Sequence, residues 1–221
     1  MDFHRITIIS GHYGSGKTNV AIALARELRA QGKRTVIADL DIVNPYFRTK
    51  DSEAELNAEG IDLIASPYAG SNVDFPALPQ EIYRLTDDTG LSAVIDVGGD
   101  ERGALALGRL APAVLKENDY DMLMVINCFR PLTRDVESTL EVMAEIENAC
   151  GIRFTGIINN SNLGEETTPE IIRSSQSYAE AFSKATGLPI VRTAVEERLQ
   201  DAIKGDAEVL KLKLQKKPYE V

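Results

Sequence analysis

Gly11-His12-Tyr13-Gly14-Ser15-Gly16-Lys17-Thr18 stands between an apolar run, Ile6 to Ile9, and a stripe of Val20, Leu24 and Leu28 at helical spacing. The octapeptide satisfies the spacing G-x-x-x-x-G-K-[ST]. Its glycines let the chain wrap closely enough for successive backbone N–H groups to point at one phosphate, and the helix behind adds the positive end of its dipole. Gly11, Gly14, Ser15, Gly16, Lys17, Thr18 and Asn19 are therefore the expected phosphate cradle. Lys17 has the reach for the β- and γ-phosphates, and the Thr18 hydroxyl is a ligand type for Mg²⁺.

The same strand-then-helix alternation continues along the chain. Short, nearly continuous apolar runs recur at Thr35 to Ala38, Ile61 to Ala65, Ala93 to Val97, Met122 to Ile126, Phe154 to Ile158 and Leu188 to Val191. Continuous apolarity is what a strand covered on both faces requires. Between these runs, Val136, Leu140 and Met143 form a helical stripe that ends at Cys150 with Gly151 as C-cap, and Thr168-Pro169 opens a helix through about Thr186. The pattern predicts an α/β fold, a doubly wound, mainly parallel sheet flanked by helices. Without a linker, repeat or low-complexity tract, one domain over residues 1–221 is the simplest organisation. The turn-rich segment Ser66 to Pro79 reads as an irregular connection, and the Leu/Lys tail Val209 to Lys217 as a solvated terminal helix.

The 221 residues are 43% hydrophobic, enough to bury a core without disulfides or metals. Acidic residues outnumber basic ones 34 to 24, a net charge of −10. Non-specific grip on nucleic acid or an anionic membrane needs a positive field, so neither is an expected partner. Cys128 and Cys150 lack the spacing of a zinc or redox pair and read as small core hydrophobes. No run approaches the ~20 apolar residues that span a bilayer, and the expectation is a soluble, cytoplasmic protein.

Three aspartates close apolar strands. Asp39 and Asp41 end the second, at the carboxyl edge where doubly wound sheets bind ligands, and suit the orientation of Mg²⁺ waters and of an attacking water. Turn formation and helix capping are the bland alternative for that pair. Asp96 ends a later strand, before Gly98 and Gly99, and is the candidate Walker B carboxylate for a Mg²⁺ held mainly through waters. Gly99 allows a backbone N–H to approach a γ-phosphate, whose loss would release Asp100 to Arg109 as a switch. Asp100 and Glu101 themselves read as helix N-terminal charges, and His4 as structural or exposed.

Together, the Gly11 to Thr18 loop, the Asp39-x-Asp41-Ile-x-x-Pro45 segment, the Asp96-x-x-Gly99 segment, Phe154-Thr-Gly-Ile-Ile-Asn-Asn-Ser-Asn162 and Leu188 to Val195 resemble the MinD/ParA (CobQ/CobB/MinD/ParA) group of P-loop NTPases. The resemblance implies an ATP- and Mg²⁺-dependent protein. In it Lys17, Asp41 and Asp39 act in catalysis, Thr18, Asp39 and Asp96 hold Mg²⁺ with Asp39 nearer the metal than Asp41, and Gly99 senses the γ-phosphate. Asn160 would bond the adenine, with Asn159 as the alternative one step away. Asn160 to Leu163 lacks the aspartate of the guanine motif N-K-x-D, which favours ATP over GTP. His12 departs from the group, most members of which carry a lysine there that crosses a nucleotide-sandwiched dimer, so a nucleotide-dependent homodimer stays open.

Arg48, Arg102, Arg109, Arg130 and Arg134 are cationic candidates for transition-state charge, with a solvated surface role as the alternative for each. The implied function is an ATPase whose hydrolysis drives a conformational switch read by a protein partner. A biosynthetic ligase like dethiobiotin or cobyrinic acid synthase is the second possibility, and an adaptor that keeps ATP as a structural ligand the third. DNA partitioning is disfavoured by the charge, and iron–sulfur carriage by the absence of a CxxC pair.

Overall fold

The computed structural model describes residues 3–41, 49–65, 79–99, 101–203, 205 and 208–214. Eight strands form one sheet: β1 (Ile6–Ser10), β2 (Thr35–Leu40), β3 (Ile61–Ala65), β4 (Ser92–Val97), β5 (Tyr120–Ile126), β6 (Gly156–Asn159), β7 (Ile190–Glu196) and β8 (Val209–Leu212). Their order is β3-β2-β4-β1-β5-β6-β7-β8, with every pairing parallel. The seven strands expected from the apolar runs are all present.

Helices α1 (Lys17–Ala30), α2 (Glu53–Ala58), α3 (Arg84–Asp87), α4 (Glu101–Gly108), α5 (Ala111–Glu117), α6 (Val136–Cys150), α7 (Pro169–Ser174), α8 (Gln176–Thr186) and α9 (Gln200–Ile203) connect them. The β2 strand alternates between two cores. Val36, Ala38 and Leu40 pack with residues of α4, α5, α6 and α8, whereas Ile37 packs with Val20, Leu24 and Leu28 of α1. Both faces are therefore covered, which is why these strands read as continuous apolar runs.

The helix boundaries follow their capping chemistry. Asp135 accepts from the Ser138 amide at 2.9 Å to start α6, and Gly151 ends it in the left-handed conformation at φ 73°. Thr168 caps α7 as expected, but the helix does not run uniformly to Thr186. At Ser175 the ladder is loosened rather than broken off: its amide is shared between the Ile171 and Ile172 carbonyls at 3.3 and 3.2 Å, while its hydroxyl donates to the Ile172 carbonyl at 2.7 Å and accepts from Asn159 Nδ2 at 2.9 Å.

The tail departs further from expectation. In place of a solvated helix over Val209 to Lys217, its first four residues form β8, paired with β7 through Thr193↔Val209 and Glu196↔Leu212. Leu210 and Leu212 are buried beside α1, Lys211 is exposed, and Lys213 bonds Glu55. Leu210-Lys211-Leu212-Lys213 has period two, so burying both leucines on one face requires a strand. Residues 66–78 of the turn-rich segment lie outside the described residues. Among the described residues no helix is long and apolar enough to cross a membrane.

Candidate functional site

β1 lies between β4 and β5, so the loop that leaves it emerges at the centre of the carboxyl edge. Gly11 turns at φ 144°, and a Cβ there would meet the Val125 carbonyl oxygen at 2.4 Å. Only glycine lets the loop pass so close to β5. Gly14 and Gly16 adopt φ of 75° and 86°, curling the loop into the first turn of α1. No side chain caps that turn and none of its residues is acidic, which leaves its amides with the positive end of the dipole available to an anion.

Lys17 is 5% exposed, and its Nζ donates to the His12 carbonyl at 3.2 Å, the same oxygen that accepts from the Ser15 amide. The ammonium is thus held across the mouth of the loop. The His12 Nδ1 lies 2.8 Å from the Tyr13 carbonyl, so this ring folds onto its own loop. Thr18 and Asn19 are half-buried at the start of α1.

Asp39 and Asp96 are register partners on β2 and β4. Two residues earlier on each strand, Ile37 and Val94 belong to the core under α1, so the two carboxylates share the face that carries the phosphate loop. Asp39 Oδ1 accepts from the Asp41 amide at 3.0 Å, fixing the turn that brings Asp41 into the group. Asp39 and Asp41 are themselves almost fully buried.

Asp96 is 1% exposed. Its Oδ2 accepts from the Thr49 hydroxyl at 3.1 Å, and Thr18 also hydrogen-bonds the carboxyl. Burial pushes its pKa up to about 6 against the pull of Lys17, and Asp41 raises it further. The other oxygen, Oδ1, is buried without a hydrogen-bond partner. A buried carboxylate oxygen left unmatched beside a hydroxyl and a lysine suits a small, oxygen-loving cation such as Mg²⁺. Among the described residues no three carboxylate, imidazole or thiol groups come together as a metal cage, so further ligands would be hydroxyls, waters or phosphate.

Gly99 closes the site from above. A Cβ on it would lie 2.5 Å from the Tyr13 amide nitrogen, 2.8 Å from the His12 carbonyl carbon and 2.8 Å from Lys17 Nζ. The strand-end asparagines face two ways. Asn159 donates from Nδ2 to the Ser175 hydroxyl at 2.9 Å, and its Oδ1 accepts from the Ser161 amide at 3.1 Å. Asn160 turns to the loop and donates from Nδ2 to the Ser15 carbonyl at 2.6 Å, while its Oδ1 accepts from Asn162 at 3.1 Å.

Two residues at the site carry no sequence signal strong enough to single them out. Thr49 follows Asp41 at a distance no motif specifies. Asn127 ends β5, where an amide after an apolar run is the available hint, and it holds the next turn through the Phe129 amide at 3.0 Å and the Thr133 hydroxyl at 2.8 Å. Among the arginines, Arg134 pairs with Asp135 at 3.4 Å, Arg109 is exposed just after α4, and Arg130 lies against Gly14. Arg48, Asp100 and the side chains of Glu101 and Arg102 lie outside the described residues. Of the cysteines, Cys150 is buried, which raises its pKa, and Cys128 is half-buried.

A model of the CobQ/CobB/MinD/ParA nucleotide binding domain matches residues 6–198. Among curated proteins none matches. Solved structures with a similar fold include FtsY from Mycoplasma mycoides, at TM-score 0.58 and 18% identity over 86% of this chain and 59% of that one. The cell division protein FtsY from Thermotoga maritima gives TM-score 0.57 and 19% identity over 88% and 62%. The signal recognition particle receptor FtsY from Elizabethkingia anophelis, in complex with GDP, gives 0.52 and 13% over 88% and 58%. The chain thus spans about three-fifths of the length of these FtsY proteins, and at such identities the likeness concerns the fold.

Proposed function

Because the chain belongs to the CobQ/CobB/MinD/ParA nucleotide-binding family of P-loop NTPases, we propose that it is a Mg²⁺-dependent ATPase whose hydrolysis acts as a conformational switch read by a protein partner. The observation that carries this reading is Asp96, a buried carboxylate with one unmatched oxygen, hydrogen-bonded to Thr18 and drawn to Lys17 of the phosphate loop. Thr18 and Asp96, with Asp39 nearby, would hold the ion, which supplies charge neutralisation of the phosphates.

In this reading the loop amides and Lys17 bind the β- and γ-phosphates, for which the ammonium exchanges its bond to the His12 carbonyl. Asp41 orients the attacking water. The Gly99 amide reads the γ-phosphate and passes its presence or loss to α4, within the segment from Asp100 to Arg109. Asn160 stitches the base-binding turn to the loop through Ser15 and offers its amide to adenine. Adenine is preferred because Asn160 to Leu163 presents no carboxylate to the exocyclic amine of guanine. A nucleotide-dependent homodimer is compatible with Tyr13 exposed on the loop, and the acidic surface supports neither nucleic acid nor membrane as the partner.

The test is calorimetric titration with ATP and GTP in Mg²⁺, on the wild type and on Lys17→Ala. ATP is expected to bind at least about tenfold tighter than GTP, the worth of one hydrogen bond to the base. Loss of the lysine should weaken ATP about 10–100-fold, the worth of one or two hydrogen bonds to a charged group. Equal binding by the Lys17→Ala protein would remove the nucleotide from this loop, and preference for GTP would overturn the base assignment alone.

A further inference from the structure

Arg130 is placed by the turn after β5 rather than by the phosphate loop itself. Its amide donates to the Asn127 carbonyl at 3.1 Å, and its carbonyl accepts from the Thr133 amide at 3.1 Å. Asn127, 1% exposed, fixes the same turn through its side chain, and Pro131 begins a 3₁₀ turn directly after the arginine. The backbone under Arg130 is therefore held on both sides by short-range bonds.

Its side chain approaches the loop at Gly14. A Cβ placed on Gly14 would lie 3.8 Å from Arg130 Nε and 3.9 Å from Cδ, ordinary van der Waals contact. The base of the guanidinium thus passes within contact distance of the middle of the loop. Arg109 and Arg134, the other arginines singled out with described side chains, lie exposed just after α4 and beside Asp135.

Resting on the reading of this loop as a triphosphate cradle, we infer that Arg130 is a catalytic residue, an arginine supplied in cis to the phosphates. The reaction is attack of water oxygen on the γ-phosphorus with cleavage of the bond to the bridging oxygen. The electron pair of that bond stays on the departing diphosphate, and the water proton leaves with the inorganic phosphate or to solvent. Negative charge grows on the diphosphate as the bond breaks, and a guanidinium at the middle of the loop stabilises it. With the backbone beneath it already fixed by the turn, the chain need not rearrange to present the guanidinium at that moment.

The experiment compares wild type, Arg130→Ala, Arg130→Lys and Lys17→Ala in steady-state phosphate release and in binding of ADP·Mg²⁺ with and without aluminium fluoride, a mimic of the transferring phosphoryl group. Because Arg130 is exposed, the substitutions leave the core intact. Arg130→Ala is expected to lower kcat at least about a hundredfold while KM for ATP changes less than about threefold, with partial rescue by lysine. It should also lose at least about tenfold of the extra affinity that aluminium fluoride confers on ADP, a readout that does not depend on turnover. If Lys17→Ala weakens nucleotide binding at least about tenfold while Arg130→Ala stays within about twofold of wild type in both measurements, the arginine assignment is overturned and the nucleotide reading stands. If wild type shows no Lys17-dependent binding, both fall.

Discussion

Gly99→Ala is expected to reduce ATP turnover by about 10²–10³-fold and to weaken triphosphate binding at least about tenfold. The added methyl would overlap the Tyr13 amide nitrogen at 2.5 Å and the His12 carbonyl carbon at 2.8 Å, and backbone atoms cannot rotate out of the way as a side-chain end can. Either β4 or the phosphate loop must shift. A displacement of about 1 Å in groups that position a transferring phosphoryl costs about two orders of magnitude, and one lost preorganised donor costs as much again. Gly108→Ala on α4 is the steric comparison: its Cβ would meet the Ala149 carbonyl oxygen at 3.5 Å, an ordinary contact, so turnover should fall far less than for Gly99→Ala. Wild-type turnover by Gly99→Ala would show that the close approach of Gly99 to the loop does not matter for hydrolysis.

Asp96→Asn should separate catalysis from stability. The carboxyl is buried and its pKa is raised to about 6 from 3.8, mainly by burial, so the folded chain binds this proton more readily than the unfolded chain does. Stability of the nucleotide-free wild type relative to the asparagine variant therefore falls as pH rises from about 4 to about 6 and levels off above. At pH 7.5 the variant is expected to be more stable by roughly 3 kcal/mol, since each tenfold gain in proton affinity on folding corresponds to about 1.4 kcal/mol. On the proposed reading turnover should nevertheless drop about a thousandfold, because the neutral amide would not hold the ion that neutralises the phosphates. Urea unfolding of both proteins at about pH 4 and pH 7.5, with and without ATP and Mg²⁺, checks this. The ligands should stabilise the wild type far more than the variant and so reverse their order. A variant that hydrolyses ATP normally would take Asp96 out of the metal site.

The α1 stripe, the Gly151 cap, the Thr168 cap and all seven expected strands are legible because each rests on local rules: apolar period, capping geometry and the glycine spacing of a phosphate loop. β8 is not legible although Leu210 to Lys213 alternates, because four residues of period two mean little until another strand edge and a helix are there to receive them. The loosened turn at Ser175 is equally hidden, since its hydroxyl meets Asn159, sixteen positions away in the chain and adjacent only in the fold.

The chain by itself determined the parallel sheet, the family and the glycine-lysine cradle, because a run of backbone amides converging on one anion needs only residues that are consecutive. Everything that makes the cradle a site depended on long-range contacts. Tertiary structure alone decided that Thr49 would clasp Asp96, that Asn160 rather than Asn159 would turn to the loop, and that Arg130 would lie along Gly14. Those contacts join residues 47, 145 and 116 positions apart. No periodicity within one segment encodes them, and only the stacking of β2, β4, β1, β5 and β6 at one carboxyl edge brings the partners within reach.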